Sequence, residues 1–299
     1  CSLQGAFPVT PLLRDPAAQR ALSREGFVVL PGLLTDALPA LRDLYARAEA
    51  GLMTRADWRS RGFDELMYAT APELRREAQR ALAALVAPAV ARAFGDVRVA
   101  VGNLFVKRRA APGSRVPLHQ DFAVVDERGG AMSAQLWSPL VDVAEANGAL
   151  GVVARSHRVA NPFRAQGDAS PFAAWADVLE RERFERLALR AGDAVVFTGR
   201  TLHGSPPNRS NADRPALGCM LVPRGEALVH YVRRSPTRVE AWRIDDAALS
   251  ALTPGSDPAG ERLGEIEHAP VAVDRAEPAR RPRHGHPARR APRAALGAA

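Results

Sequence analysis

The sequence predicts a mainly β domain with helices gathered at its front, built as an antiparallel sandwich or barrel. From Val97 onward, short β-prone runs alternate with turn residues, with few helices between them. Ahead of Val97 the apolar residues recur at helical spacing instead. Many short strands with few helices between them argue against a parallel βαβ sheet.

Taken in order, the first element is a short helix from Pro16 to Arg24, followed by a brief strand from Phe27 to Leu30. Thr35 is placed to cap a second helix, in which Leu38, Leu41, Leu44 and Tyr45 share a face up to Gly51. Pro72 opens a third, with Leu74, Ala78, Leu82 and Leu85 along one side. Strands are then expected at Val97 to Val106, Ser133 to Val143, Leu150 to Ala154, Phe184 to Arg190, Ala194 to Thr198, Ala216 to Pro223 and Leu228 to Val232. Pro112-Gly113, Asn147-Gly148 and Gly192-Asp193 punctuate them as turns.

The chain has 299 residues, 46% hydrophobic and 25% charged, which supports a sizeable core and excludes wholesale disorder. The longest uncharged apolar run, Ala81 to Ala91, is interrupted by Pro88. It falls well short of the roughly 20 residues that a membrane span needs. Cys1 and Cys219 cannot build a disulfide framework or a thiolate zinc site, so any metal is left to His and carboxylate. A reducing cytosol is the expected compartment. The opening on Cys1 reads as a trimmed start; the sharper alternative is a lipidated cysteine of a processed lipoprotein.

The net charge of +8 is unevenly spread. Residues 268–299 hold seven Arg against Asp274 and Glu277, with five Pro and much Ala. That composition cannot bury a core. The expected organisation is a folded domain over residues 7–266 and a disordered basic tail over 267–299. Nucleic acid is not an expected partner of the domain; only the tail offers weak, salt-dependent attachment to a polyanion. No GxGxxG, GxxxxGK or GxSxG motif is present, which weighs against nucleotide and hydrolase chemistry.

The chemistry is carried by a spaced set. In His119-Gln120-Asp121, strand geometry would point an imidazole and a carboxylate to one face. The plainer alternative is a surface ion pair. His203 follows the apolar run Ala194 to Thr198, where a buried strand emerges. Two His and one carboxylate suit three adjacent positions of an octahedral iron(II), with the others open. His157 competes for the third place but lacks that context. Arg214 precedes the strand Ala216 to Pro223 and shares a face with Ala216, Gly218 and Met220. Beside small residues its fork needs an anion and suits a carboxylate; the alternative is a pair with Asp213. Ser205 is placed to add a hydroxyl donor. Gln135 and Trp137 alternate along a strand and either line a substrate pocket or, for Trp137, pack the core. Lys107-Arg108-Arg109 reads as a phosphate grip or, more plainly, a solvated loop. Arg209 sits in an exposed turn, and Cys219 reads as a buried small hydrophobe.

His119-x-Asp121, then His203, then Arg214, resembles the phytanoyl-CoA dioxygenase-like family of non-haem iron(II), 2-oxoglutarate-dependent oxygenases. Asn147-Gly148-Ala149-Leu150 leading to Ser156-His157, His203-Gly204-Ser205 leading to Pro207-Asn208-Arg209-Ser210, and the opening Arg24-Glu25-Gly26-Phe27 to Leu34 support it over residues 20 to 235. The resemblance implies a double-stranded β-helix, a cupin-like jelly roll, with the helices packed outside. It implies that His119, Asp121 and His203 ligate iron(II), that Arg214 and Ser205 receive the far carboxylate of 2-oxoglutarate, and that Lys107 corresponds to a lysine some members use near it. Oxygen is the second co-substrate, with ascorbate as a supporting reductant. Asp121 occupies the place that a small residue takes in halogenating relatives, so the implied reaction is hydroxylation of an unactivated C–H in a small organic or carrier-linked acyl substrate, releasing succinate and CO2. A non-catalytic jelly-roll binding protein that retains a metal site is the alternative from another class; degenerate members usually lose a ligand, and here all are present.

Overall fold

Three antiparallel sheets organise the chain in a computed structural model that describes residues 11–51, 62–68, 71–159, 161–166, 168, 170–252, 257–269 and 292–294. Three helices lead, as expected: α1 (Pro16–Glu25), α2 (Leu38–Gly51) and α3 (Pro72–Ala93). Asp15 caps α1 by accepting from the Ala17 N–H at 2.7 Å, and Pro16 follows in the first turn. Gly26 closes it at φ 87°, where a Cβ would come within 2.5 Å of the His157 ring, so that position requires glycine. Thr35 does not cap α2. Its carbonyl accepts from Leu38 in a preceding turn, and the helix starts three residues later, with Pro39 in a first turn where its missing N–H costs nothing.

The strands are β1 (Phe27–Leu30), β2 (Phe63–Glu65), β3 (Val97–Lys107), β4 (Val116–His119), β5 (Ala134–Pro139), β6 (Gly151–Val153), β7 (Phe184–Arg186), β8 (Ala194–Thr198), β9 (His203–Ser205), β10 (Arg214–Pro223), β11 (Leu228–Ser235), β12 (Arg238–Ile244) and β13 (Glu261–Glu267). Two short helices, α4 (Ala176–Glu182) and α5 (Asp246–Ala251), interrupt them. The sheets run β1-β8-β5-β10-β3-β2, β4-β9-β6-β7 and β11-β12-β13. This is a jelly roll with helices outside, the predicted class.

Strand parity divides the six-stranded sheet into two faces. Val28, Leu30, Leu104, Leu136, Val196, Leu217 and Cys219 point outward and pack with Leu22, Leu41 and Leu82 of the helices. Burial pushes the Cys219 thiol up to about 12, an inert hydrophobe as the sequence suggested. Phe27, Val29, Trp137, Val195, Phe197 and Ala216 point the other way and pack with Val152, Leu187 and Leu189 across the four-stranded sheet. Several expected strands are shorter than predicted, such as β5, which ends at Pro139.

Among the described residues no helix is long and apolar enough to cross a membrane. Most of the expected tail lies outside the described residues. Within it, residues 292–294 run beside β1: Val29 donates to the Pro292 carbonyl at 2.9 Å and accepts from Ala294 at 3.1 Å.

Candidate functional site

The two candidate histidines are joined by strand register. β4 and β9 pair antiparallel with His119 directly opposite His203, and their ring centroids stand 4.2 Å apart. Each Nδ1 lies 2.9 Å from a carbonyl two residues back, Pro117 for His119 and Thr201 for His203. A carbonyl only accepts, so each Nδ1 carries the proton and each Nε2 keeps its lone pair. Those Nε2 atoms stand 3.9 and 3.7 Å from the same oxygen, Asp121 Oδ1. All three side chains offer ligand atoms within 4.8 Å of one another. Burial, reinforced by His119, lowers the His203 pKa to about 4, against a smaller upward pull from Asp121 and the Thr201 carbonyl, so its imidazole is neutral and free to bind a metal.

Asp121 reaches this point by a route the sequence reading did not foresee. β4 ends at His119, so the expected strand alternation does not carry the acid. Instead its N–H donates to the Gly199 carbonyl at 3.0 Å, and its carbonyl accepts from Arg164 Nε at 2.6 Å. Arg164 is clamped in turn by Glu127, two nitrogens to two oxygens at 2.8 Å each, and Arg200 Nε adds a third contact at 2.6 Å. Asp121 Oδ2 is buried with no hydrogen-bond partner among the described residues. A carboxylate left unpaired beside two imidazole lone pairs is a donor set that calls for a cation. Two nitrogens and one oxygen on one side suit iron(II).

Arg214 opens β10 at 2% exposure, its guanidinium 5.4 Å from the Trp137 ring. Its Nε and Nη1 have no hydrogen-bond partner among the described residues, and burial lowers its pKa to about 9. Asp213 does not pair with it: that acid accepts from Arg108 Nη1 at 3.0 Å and the Arg109 N–H at 2.8 Å. Arg108 also binds Glu49 and Asp64, so this basic stretch is structural rather than a phosphate grip. The free guanidinium fork therefore awaits an anion.

His119, Asp121, His203, Ser205, Arg214, Gln135 and Trp137 all line one cavity of about 370 Å³. Lys107 is placed elsewhere. Its ammonium donates to the carbonyls of Ser114, Ser205 and Pro206, the last at 2.7 Å, and it does not border the cavity. Burial, aided by Arg214, lowers its pKa to about 6. This corrects the expectation that Lys107 meets the co-substrate: its three donors are spent on backbone. His157 is no ligand either; its Nε2 meets the Ser23 carbonyl at 3.1 Å under α1. Arg209 is exposed, as read. Sequence reasoning missed Arg164 and Glu127, whose pairing spans 37 residues and leaves no local pattern, and Glu65 and Asn103, which border the same cavity.

The family model of phytanoyl-CoA dioxygenase matches residues 22–216. No curated protein matches the sequence. Among solved structures, the non-haem α-ketoglutarate-dependent carbocyclase SnoK from nogalamycin biosynthesis is 21% identical, covering 84% of this chain and 96% of its own at a TM-score of 0.54. The epimerase SnoN from the same biosynthesis is 20% identical, covering 87% and 98% at a TM-score of 0.51. SnoN has been crystallised with Fe3+, α-ketoglutarate and nogalamycin RO. At such identity these two show the shared fold. The family match extends over most of the chain and contains both metal-side His119-x-Asp121 and His203, and Arg214. The chain belongs to the phytanoyl-CoA dioxygenase family and is an iron(II)- and 2-oxoglutarate-dependent oxygenase.

Proposed function

We propose that this oxygenase hydroxylates an unactivated C–H bond of a small organic or carrier-linked acyl molecule. One observation carries the reading: a two-His, one-carboxylate cluster with an unpaired acid oxygen shares a cavity with a buried, unpaired Arg214. When bound, iron(II) and 2-oxoglutarate would activate O2 for C–H hydroxylation, one oxygen atom going to the substrate and the other to succinate, with CO2 released.

The chain's own residues do the rest. His119, Asp121 and His203 would hold the iron through two nitrogens and one oxygen. The Pro117 and Thr201 carbonyls fix the imidazole tautomers, and Arg164 holds the backbone of Asp121. Arg214 offers two unpaired nitrogens to the far carboxylate of the co-substrate, with Ser205 on the same wall. Trp137 covers the guanidinium and excludes water from that contact. Gln135, two residues before Trp137 on β5 and on the same face, would orient the substrate. Residues 7–266 are taken as the catalytic domain, with 267–299 as an appendage.

The test is an anaerobic titration with iron(II) and 2-oxoglutarate, watching for the visible metal-to-ligand charge-transfer band, followed by oxygen and mass spectrometry of a metabolite panel. A band that disappears in His203→Ala, and a product heavier by one oxygen, support the reading. A product without added oxygen would point to another C–H reaction. Iron binding without any succinate would favour a binding protein.

A further inference from the structure

Resting on that reading, we infer that the substrate carries a basic nitrogen and that Glu65 is the carboxylate that receives it as an ammonium. Glu65 ends β2, the edge strand of the six-stranded sheet, opposite Phe105 of β3. Its side chain borders the same cavity as the metal cluster. Asn103 fixes its direction. The Asn103 Oδ1 accepts from the Met67 N–H at 2.9 Å, so the amide can face only one way, and its Nδ2 donates to Glu65 Oε2 at 3.2 Å. That neutral bond is the one hydrogen bond to the carboxylate among the described residues, and no Lys, Arg or His of the described residues forms an ion pair with it.

Charge accounting within the cavity then singles this residue out. Asp168, also on the wall, is neutralised by Arg233 through contacts of 2.7 and 3.0 Å. Asp121 faces the metal position, and Arg214 faces the co-substrate carboxylate. With those groups matched, Glu65 is the acid left without a counter-charge. Its surroundings resist a bare anion: Phe63, Phe105, Met67 and Met220 provide apolar and aromatic wall. Burial raises its pKa to about 7, with Asn103 opposing and Asp121 adding to the rise. A cation offsets that cost, and the Phe63 and Phe105 rings on the cavity wall are aromatic groups beside which a positive charge is tolerated. A substrate anion would instead meet Glu65 as a like charge. The inference therefore favours an amine-bearing small molecule over an acidic one.

The experiment titrates 2-phenylethylammonium, n-octylammonium and the matching alcohols and N-acetyl amides into protein loaded with iron(II) and 2-oxoglutarate without oxygen. Binding is read both from displacement of the charge-transfer band and from tryptophan fluorescence, since Trp137 borders the cavity. Ammonium compounds should bind at least about tenfold more tightly than their neutral partners, and Glu65→Gln, which keeps shape and the Asn103 contact, should reduce the preference to below about threefold while the band itself still forms. Equal binding of neutral partners, an unchanged preference in Glu65→Gln, or a normal band with no ammonium compound bound would overturn the inference. Failure of the band in the unaltered protein would instead strike the iron and 2-oxoglutarate reading, and fluorescence would still report the charge preference.

Discussion

The two faces of the six-stranded sheet are made by the same strands and are physically opposite. On the face toward the helices, Leu104, Leu136, Leu217 and Cys219 are sealed in an apolar core. On the face toward the four-stranded sheet, the same strands present Asn103, Gln135, Trp137 and Arg214 to a cavity. The first face is sealed by apolar side chains of the helices. The second buries Arg214 nitrogens, and across from them Asp121 Oδ2, with no hydrogen-bond partner among the described residues. A folded chain leaves such groups unpaired at a cost of about 1–3 kcal/mol each unless something else completes them. The contrast separates residues kept for stability from residues kept for ligands, and substitutions on each face should separate the same way.

The metal cluster gives the widest separation. His203→Ala or Asp121→Ala should weaken iron(II) binding by at least about 100-fold and abolish turnover. The melting temperature of the metal-free protein should hold or rise in Asp121→Ala, because an unpaired buried polar atom has been removed, and His203→Ala should lose only its ring packing and its contact with Thr201. Anaerobic titration and differential scanning calorimetry read the two quantities. A large fall in metal-free stability would make these side chains structural and erase the distinction.

Next comes a matched pair on adjacent strands. Leu136→Ala in the helix-side core should cost about 2–5 kcal/mol of stability, read as a lower urea midpoint, with the charge-transfer band unchanged. Arg214→Met should do the reverse. Removing one partner of a buried charge contact costs about 2–5 kcal/mol, so 2-oxoglutarate affinity should fall about 30-fold or more. The metal-free fold should be no less stable, since Arg214 Nε and Nη1 have no hydrogen-bond partner among the described residues and Met keeps apolar contact with Trp137. Loss of stability in Arg214→Met would show that the inner face is held by the same kind of contact as the outer one.

The same contrast explains what could be read from the sequence. The helix-side face writes a regular signal, so β1 and β8 were legible to the residue, at Phe27–Leu30 and Ala194–Thr198. His119, Asp121, His203 and Arg214 were legible because their spacing follows the family. The strands that carry the histidines were not. β4 contains Pro117 and breaks register before His119, and β9 is His203-Gly204-Ser205, with no apolar alternation to detect. β12 and β13 mix charged and apolar residues without a clean alternation and pair with β11 in a separate sheet, and the three-residue β2 gives too little pattern to hold Glu65 in place. The Glu127–Arg164 clamp is a tertiary contact without any local trace. Lys107 misled for a related reason: a buried lysine in a family-like position looks the same in sequence whether it meets a ligand or three carbonyls.

Glu127 tests how far the inner face depends on support behind it. Glu127→Gln leaves the shape but removes the charge that orients Arg164 and, through it, the Asp121 carbonyl. Iron affinity should fall about 10-fold, the lower end of the range for residues that orient metal ligands. The shape of the charge-transfer band should change with it, which a purely structural loss would not produce. An unaltered band and affinity would show that Asp121 is held sufficiently by Gly199 alone.

His230 shows that an unpaired buried atom is not by itself the mark of a ligand site. Its Nδ1 also lacks a partner, yet the ring lies against the edge of Phe122, on β11 and off the cavity wall. Burial lowers its pKa to about 4. The unfolded chain takes up this proton from about pH 6.5 downward and the native protein only near pH 4, so the stability is present above pH 6.5 and is lost as the pH falls toward 4. Between pH 7 and pH 5.5 the loss from this residue is roughly 1 kcal/mol. His230→Leu should remove that part of the acid sensitivity in urea titrations at the two pH values, while iron and 2-oxoglutarate should leave it in place, because they bind a cavity this ring does not face. Suppression of the His230 contribution by those ligands would mean that the ring communicates with the site, and that the boundary between ligand-directed and merely buried polar groups lies farther out than the cavity wall.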